Sequence, residues 1–122
     1  MSMPERKILE WMNETIPMAY IALINEIPVG MCSLQFNDGI RTDLSPWLGD
    51  LCVDPDYSSQ GIGKLLISTV IQKANDLKYE KLFLYTYEEN LIPFYKKLGW
   101  DLIGNERHGD HQVKLMSRNI FI

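Results

Sequence analysis

The chain is 122 residues long and lacks the features that mark several large protein classes. No apolar stretch approaches the ~18–20 residues of a membrane-spanning helix, so no membrane partner is expected. The first residues, Met1-Ser2-Met3-Pro4-Glu5-Arg6-Lys7, lack the basic-then-apolar order of a secretion signal, and a cytoplasmic location is the expectation. Cysteine is scarce. Cys32 and Cys52 each sit inside an apolar, strand-like run, a pattern of reduced, buried thiols rather than of a disulfide framework or a metal site. Basic charge is also short: 12 Lys and Arg against 16 Asp and Glu leave a net charge of −4. That balance argues against a nucleic-acid partner and favours a cationic one such as an amine.

What is present is the composition of an ordinary globular domain, 46% hydrophobic and 23% charged, with no internal repeat or linker, so residues 1–122 are expected to share one core. Ser2-Met3-Pro4-Glu5 has the form of a capping box, and Ile8, Leu9, Trp11 and Met12 follow at helical spacing, which predicts a short helix over residues 4–14. Met18 to Ile24 and Val29 to Phe36 read as a hairpin, and Trp47 to Val53 as a third strand. Gly61 to Leu77 carries Ile62, Leu65, Leu66, Thr69, Val70, Ala74 and Leu77 on one helical face. Leu82 to Tyr87 is a strand, Asn90 is placed to cap a short helix, and Gly99 to end it. Trp100–Gly104 and Gln112–Arg118 are final strands around a polar loop from Asn105 to His111. Hairpins followed by a strand–helix–strand crossover predict an α+β domain, one mixed sheet covered by helices.

The most informative stretch is Val53-Asp54-Pro55-Asp56-Tyr57-Ser58-Ser59-Gln60-Gly61-Ile62-Gly63-Lys64. A strand ends, a glycine-containing turn follows, and a periodic helix opens at once. Unpaired N–H groups and the helix dipole favour an anion at such a start, and Gly61 and Gly63 have no side chains to keep a phosphate away. The spacing fits neither a Walker loop nor a Rossmann fingerprint. The second stretch is Asn90-Leu91-Ile92-Pro93-Phe94-Tyr95-Lys96-Lys97-Leu98-Gly99-Trp100.

Taken in order, Val-Asp-Pro, Gln-Gly-Ile-Gly, amphipathic helix, strand and Phe-Tyr-Lys-Lys-Leu-Gly-Trp resemble the core of the GNAT acetyltransferases over about Val29 to Arg118. The resemblance implies a mostly antiparallel sheet with one parallel strand pair and flanking helices. It also implies acetyl-CoA as cosubstrate and acetyl transfer to a small amine or a protein amine. Leu51, Cys52 and Val53 match a bulged strand whose backbone pairs with the pantetheine arm, and Ser58, Ser59, Gln60, Gly61, Ile62, Gly63 and Lys64 match the pyrophosphate loop. Tyr95 matches the family's general acid, and Asn90 a cofactor contact. The sequence departs from the pattern at Ser58, where the family carries Arg or Gln, and at Ser59, where Gly is frequent; one charge-assisted phosphate contact is missing, and Lys64 is placed to supply part of it.

The chemistry needs these residue types. An amine attacks a thioester, an oxyanion develops, and a thiolate departs. Strand N–H groups around Val53 suit the oxyanion, and a phenol suits the sulfur. For the general base the sequence leaves Asp50, Glu88, Glu89 and a water chain open; simple alternation puts Asp50 on the opposite face from Trp47 and Gly49 unless a bulge shifts it. His108 and His111, beside Asp110, have no further ligand at useful spacing and are expected in a solvated loop. Cys52 has no accompanying His and is expected in the core. Two other readings compete with the enzyme: a module of this fold that holds acetyl-CoA or CoA without turnover, and an aminoacyl-tRNA-acetylating toxin, which the net charge disfavours.

The resemblance further implies that the usual first strand and helix are missing. Met18–Ile24 would then be an apolar sheet edge with no Lys or Pro, which predicts a homodimer that covers it.

Overall fold

The computed structural model describes residues 6–12, 17–37, 41 and 43–120. Strands β1 (Arg6–Met12), β2 (Met18–Ile24), β3 (Ile27–Gln35) and β4 (Trp47–Val53) precede helix α1 (Ile62–Asp76). Then come β5 (Lys81–Thr86), helix α2 (Ile92–Lys97), β6 (Asp101–His108) and β7 (His111–Asn119). The strands form one sheet in the order β1-β2-β3-β4-β5-β7-β6. Every pair is antiparallel except β4–β5, whose connection runs through α1, the crossover a parallel pair requires. The expected mixed sheet, its parallel pair and its helices are therefore all present.

One sheet face carries the main core. Met18, Tyr20 and Ala22 of β2, Cys32 and Leu34 of β3, Leu48, Leu82, Leu84 and Met116 alternate onto it. Helix α1 covers them with Ile62, Leu66, Ile67, Val70 and Ala74, a single apolar stripe. The helix can lie this close because residue 30 is glycine: a Cβ there would stand 3.1 Å from both Ile62 Cγ2 and Leu66 Cδ1 and 3.0 Å from the carbonyl of Cys52. The opposite face has a smaller cluster of Trp47, Phe83 and Leu115, packed by Leu44 and Tyr85.

Residues 6–12, expected within a helix over 4–14, are strand β1, paired with β2 from Arg6↔Ile24 to Met12↔Met18. A seven-residue apolar run fits either period, and a short isolated helix is costly to nucleate, whereas the open edge of β2 offers a ladder partner at every step. Lys7 also forms an ion pair with Glu26 in the β2–β3 turn at 2.5 Å. The capping box over Ser2–Glu5 lies outside the described residues. Because β1 covers the edge of β2 within the chain, the premise of the expected homodimer lapses.

Three further expectations are corrected. Asn90 does not cap a helix: Glu89–Leu91 form a 3-10 turn, and α2 opens after Leu91 without a side-chain cap, with Pro93 in its first turn. Gly99 does close α2, at φ +93, a left-handed conformation that glycine adopts at least cost. The polar stretch Asn105–His111 is not a loop but continues β6 and β7, turning only at Gly109-Asp110. Polarity marks it as solvent-exposed; it does not prevent ladder pairing. Cys52, expected in the core, is exposed, for a reason that lies in β4.

Candidate active site

Strands β4 and β5 share a single register pair, Trp47↔Phe83, extended by the bond from Phe83 N to Pro46 O at 3.0 Å. Past that pair they diverge around a cleft of about 440 Å³. The divergence has a local cause. Between the pairs Ser33↔Gly49 and Met31↔Cys52, β4 advances by one residue more than β3, and Asp50 takes φ +54. Such a bulge bends the strand and reverses the facing of every residue beyond it. Cys52 thus lands opposite exposed Met31, and Asp50 joins the face of Gly49.

On that face Asp50 is held in a small network. Ser33 Oγ donates to Asp50 Oδ2 at 3.0 Å, and Gln35 Nε2 donates to Asp50 Oδ2 at 2.9 Å and to Ser33 Oγ at 2.8 Å. Residue 49 must be small for this: a Cβ there would lie 3.0 Å from Gln35 Nε2 and 3.2 Å from Ser33 Oγ.

The bulged strand also sets where its backbone points. Asp54 N donates to Val29 O at 2.8 Å, so in an antiparallel ladder the N–H of Val53, and by the same alternation that of Leu51, is directed away from β3. Both face the side on which β5 has diverged. At the end of β4, a 3-10 turn over Pro55–Tyr57 leads through Ser58, Ser59 and Gln60, all exposed, to Gly61 at φ +75. The first N–H bonded back into the helix is that of Leu65, to Gly61 O at 3.0 Å, and Gly61 supplies no side-chain cap. The amides of Ile62, Gly63 and Lys64 are the orphan donors of the helix start. A Cβ on Gly61 would meet nothing within 4 Å; one on Gly63 would lie 3.8 Å from Val53 Cγ2 and 3.9 Å from Phe94 Cζ. The turn therefore abuts both the end of β4 and helix α2.

Tyr95 is the one buried residue of α2, packed edge-on against Phe94 and Trp100 at ring distances of 5.3 and 6.2 Å, and it lines the cleft. Burial, then the charges of Cys32 and Glu88, push its phenol up to about 12. It is a proton donor throughout the physiological range. Burial likewise pushes the Cys32 thiol up to about 12, the state of an inert core cysteine.

The structure thus brings Asp50, Leu51 and Tyr95 to one cleft, and the glycine turn lies against Val53 and Phe94, neighbours in sequence of the lining residues. Asn90 is exposed in the 3-10 turn after β5, outside the cleft lining. Of the two glutamates, Glu88 lines the cleft while Glu89 pairs with Lys114 at 3.5 Å. Sequence reasoning missed Ser33, Gln35, Tyr85 and Tyr87. Ser33 and Gln35 were visible as polar residues alternating with Cys32 and Leu34, but nothing local tied them to Asp50. His108 is engaged by Tyr87, whose Oη bonds its Nδ1, and His111 lies edge-on to the same ring at 5.6 Å. Among the described residues no group of three His, Cys, Asp or Glu is arranged to hold a metal ion, and no helix is long and apolar enough to cross a membrane.

Comparison with known proteins places this geometry. Over 86 residues the chain is 28% identical to an uncharacterized N-acetyltransferase of Methanocaldococcus jannaschii; the match takes in 67% of this chain and 38% of that protein, so the chain spans well under half of its relative's length. The fold is shared with an aminoglycoside 6′-N-acetyltransferase solved with coenzyme A, at TM-score 0.71 and 18% identity over 86% of this chain and 73% of that one. It is also shared with a GNAT family acetyltransferase from Elizabethkingia anophelis solved with acetyl-CoA bound, at TM-score 0.69 and 20% identity over 84% and 76% of the two chains. The acetyltransferase (GNAT) family model matches residues 2–100, most of the chain including the bulged strand, the glycine turn and Tyr95. The chain belongs to the acetyltransferase (GNAT) family.

Proposed function

We propose that the protein is an acetyl-CoA-dependent N-acetyltransferase that moves an acetyl group to a primary amine by direct attack on the thioester. The observation that carries this reading is the wedge between β4 and β5, which gathers strand amides, a carboxylate and a protonated phenol where the two strands part. The glycine turn fits a pyrophosphate: Gly61 leaves open space, and three orphan amides stand at the start of α1. Ser58 brings a hydroxyl where a charged side chain would grip harder, and Lys64, exposed in the first turn, adds a positive charge.

Each residue then has a task. Leu51 and Val53 pair through their outward backbone with the pantetheine arm, and the Val53 N–H stabilises the oxyanion as the amine lone pair adds to the carbonyl carbon. Asp50, its Oδ2 fixed by Ser33 and Gln35, takes the proton that the amine sheds. As the carbon–sulfur bond breaks, Tyr95 donates its proton to the departing sulfur; Asp50 then gives up the proton it took from nitrogen to solvent, and solvent reprotonates Tyr95. The products are an amide and a free thiol. A cytoplasmic location, where acetyl-CoA is made and used, suits this reading.

Acetyl-CoA-dependent thiol release across amine classes tests it: saturable release with at least one amine is expected. Binding of acetyl-CoA without release for any amine would reduce the protein to a holding module.

A further inference from the structure

Resting on the acetyltransferase reading, we infer that the acceptor is a small polycationic amine, a polyamine or a polyamino sugar that bears no carboxylate. It is held between Asp50 and Glu88 on the two walls of the cleft and against the rings of Tyr85 and Tyr87.

The charge of the lining comes first. Asp50 projects from the bulge of β4, Glu88 follows the end of β5, and among the described residues no Lys or Arg lines the cleft. A neutralising partner must therefore come from the ligand. Asp50 takes both of its protein hydrogen bonds on Oδ2, which fixes the group and leaves Oδ1 without a protein donor among the described residues. Glu88 has its backbone N tied to Thr86 Oγ1 at 3.1 Å, and no ion pair among the described residues involves it. Its neighbour Glu89, by contrast, is matched by Lys114. An acceptor with a carboxylate beside its amine would meet two like charges here, and a monocation would satisfy only one wall.

The aromatic side of the cleft points the same way. Tyr85 is braced by Trp47 at 6.4 Å, by Tyr87 at 5.8 Å and by His108 at 5.5 Å, and the Tyr87 hydroxyl is tied to His108 Nδ1. Rings already held in place present their faces at little entropic cost, and ring faces attract ammonium groups. The cleft, about 440 Å³ and shared with the acyl donor, suits a small acceptor better than a folded protein surface. The net charge of −4 adds attraction for a polycation at long range.

The test compares thiol release with spermidine, with neamine as the polyamino sugar, with n-butylamine as a monocation and with lysine as a diamine bearing a carboxylate. We expect kcat/KM for spermidine or neamine to exceed that for butylamine and lysine by about tenfold or more; whichever polycation leads identifies the source. Glu88→Gln should raise KM for the polycation about fivefold more than KM for butylamine, and Tyr87→Leu about threefold more. Acetyl-CoA titration of each variant checks its folding. Equal use of all four amines, or equal KM changes for polycation and monocation, overturns the inference while leaving the acetyltransferase intact. If no amine releases thiol, calorimetry of spermidine and neamine against the CoA-saturated protein decides. Binding that weakens in Glu88→Gln upholds the polycation site and sinks only the enzyme reading; no binding at millimolar concentration sinks the site.

Discussion

The two faces of the sheet are made by the same strands yet serve opposite ends. On one face Cys32, Leu34, Leu48, Leu82 and Leu84 lie under α1 and α2 in a continuous apolar layer. On the other, one residue out of step, stand Ser33, Gln35, Gly49, Tyr85 and Tyr87. The first face supplies stability and, through Tyr95 of α2, the phenol at the cleft, and the second supplies the other polar groups that line it. The bulge at Asp50 is the exchange point between them: it brings a carboxylate onto the reactive face and turns Cys52 out of the core, and the strand bends open where the two effects meet. Two-residue periodicity therefore builds the core, and its single interruption in β4 builds the site.

Substitutions on the two faces should separate stability from turnover. The largest effect is expected on the covered face. Leu66 is fully buried, and Leu66→Ala should cost about 2–5 kcal/mol of unfolding free energy by denaturant titration, with kcat per folded molecule retained. Loss of kcat without loss of stability would dissolve the division of labour. In the cleft, Tyr95→Phe should lower kcat by ~10–10³-fold while acetyl-CoA affinity stays as in wild type. Unchanged turnover would make Tyr95 a packing residue and leave solvent as the proton source. At the rim between helix and sheet, Gly99→Ala should cost about 1–2 kcal/mol, since φ is +93 and a Cβ would stand 3.1 Å from Arg118 Nε.

A further effect, one of pH rather than of substitution, is expected in alkali. The folded Cys32 thiol and Tyr95 phenol titrate near 12, against ordinary values of 9.0 and 10.0. The unfolded chain therefore loses these protons first. Their contribution to stability is complete below about pH 9 and is lost as pH rises from there through 12. Urea midpoints that fall over this window in wild type, and fall less between pH 10 and 12 in Tyr95→Phe, would agree; equal falls would assign the loss to other groups.

How much of this was legible beforehand follows from the length of each signal. Helix α1 carries a stripe from Ile62 to Ala74 over four turns, and β4 is bounded by Pro46 and Asp54-Pro55, so both were read close to their true limits. Residues 6–12 were not, because seven residues cannot separate a period of two from one of 3.6 and the deciding partner, β2, lies across a turn. The glycine turn and Tyr95 were legible because their motifs are local. The resemblance implied a bulge in the strand of Leu51 to Val53 but not its exact place: it puts Asp50, neither Gly nor Asn, in the left-handed region, and only the ladder with β3 locates the extra residue. For the same reason Ser33, Gln35 and the Tyr87–His108 pair came from tertiary structure alone.

Acetyl-CoA binding in the proposed mode requires that the glycine turn beside Val53 hold its pyrophosphate. Calorimetric titration of acetyl-CoA into wild type and into Gly61→Glu tests it most directly, because residue 61 packs against nothing and the substitution adds a negative charge at the anion site as well as left-handed strain. Micromolar binding by wild type and a loss of about tenfold or more in the folded variant is the predicted result. Equal binding by the two proteins would contradict it.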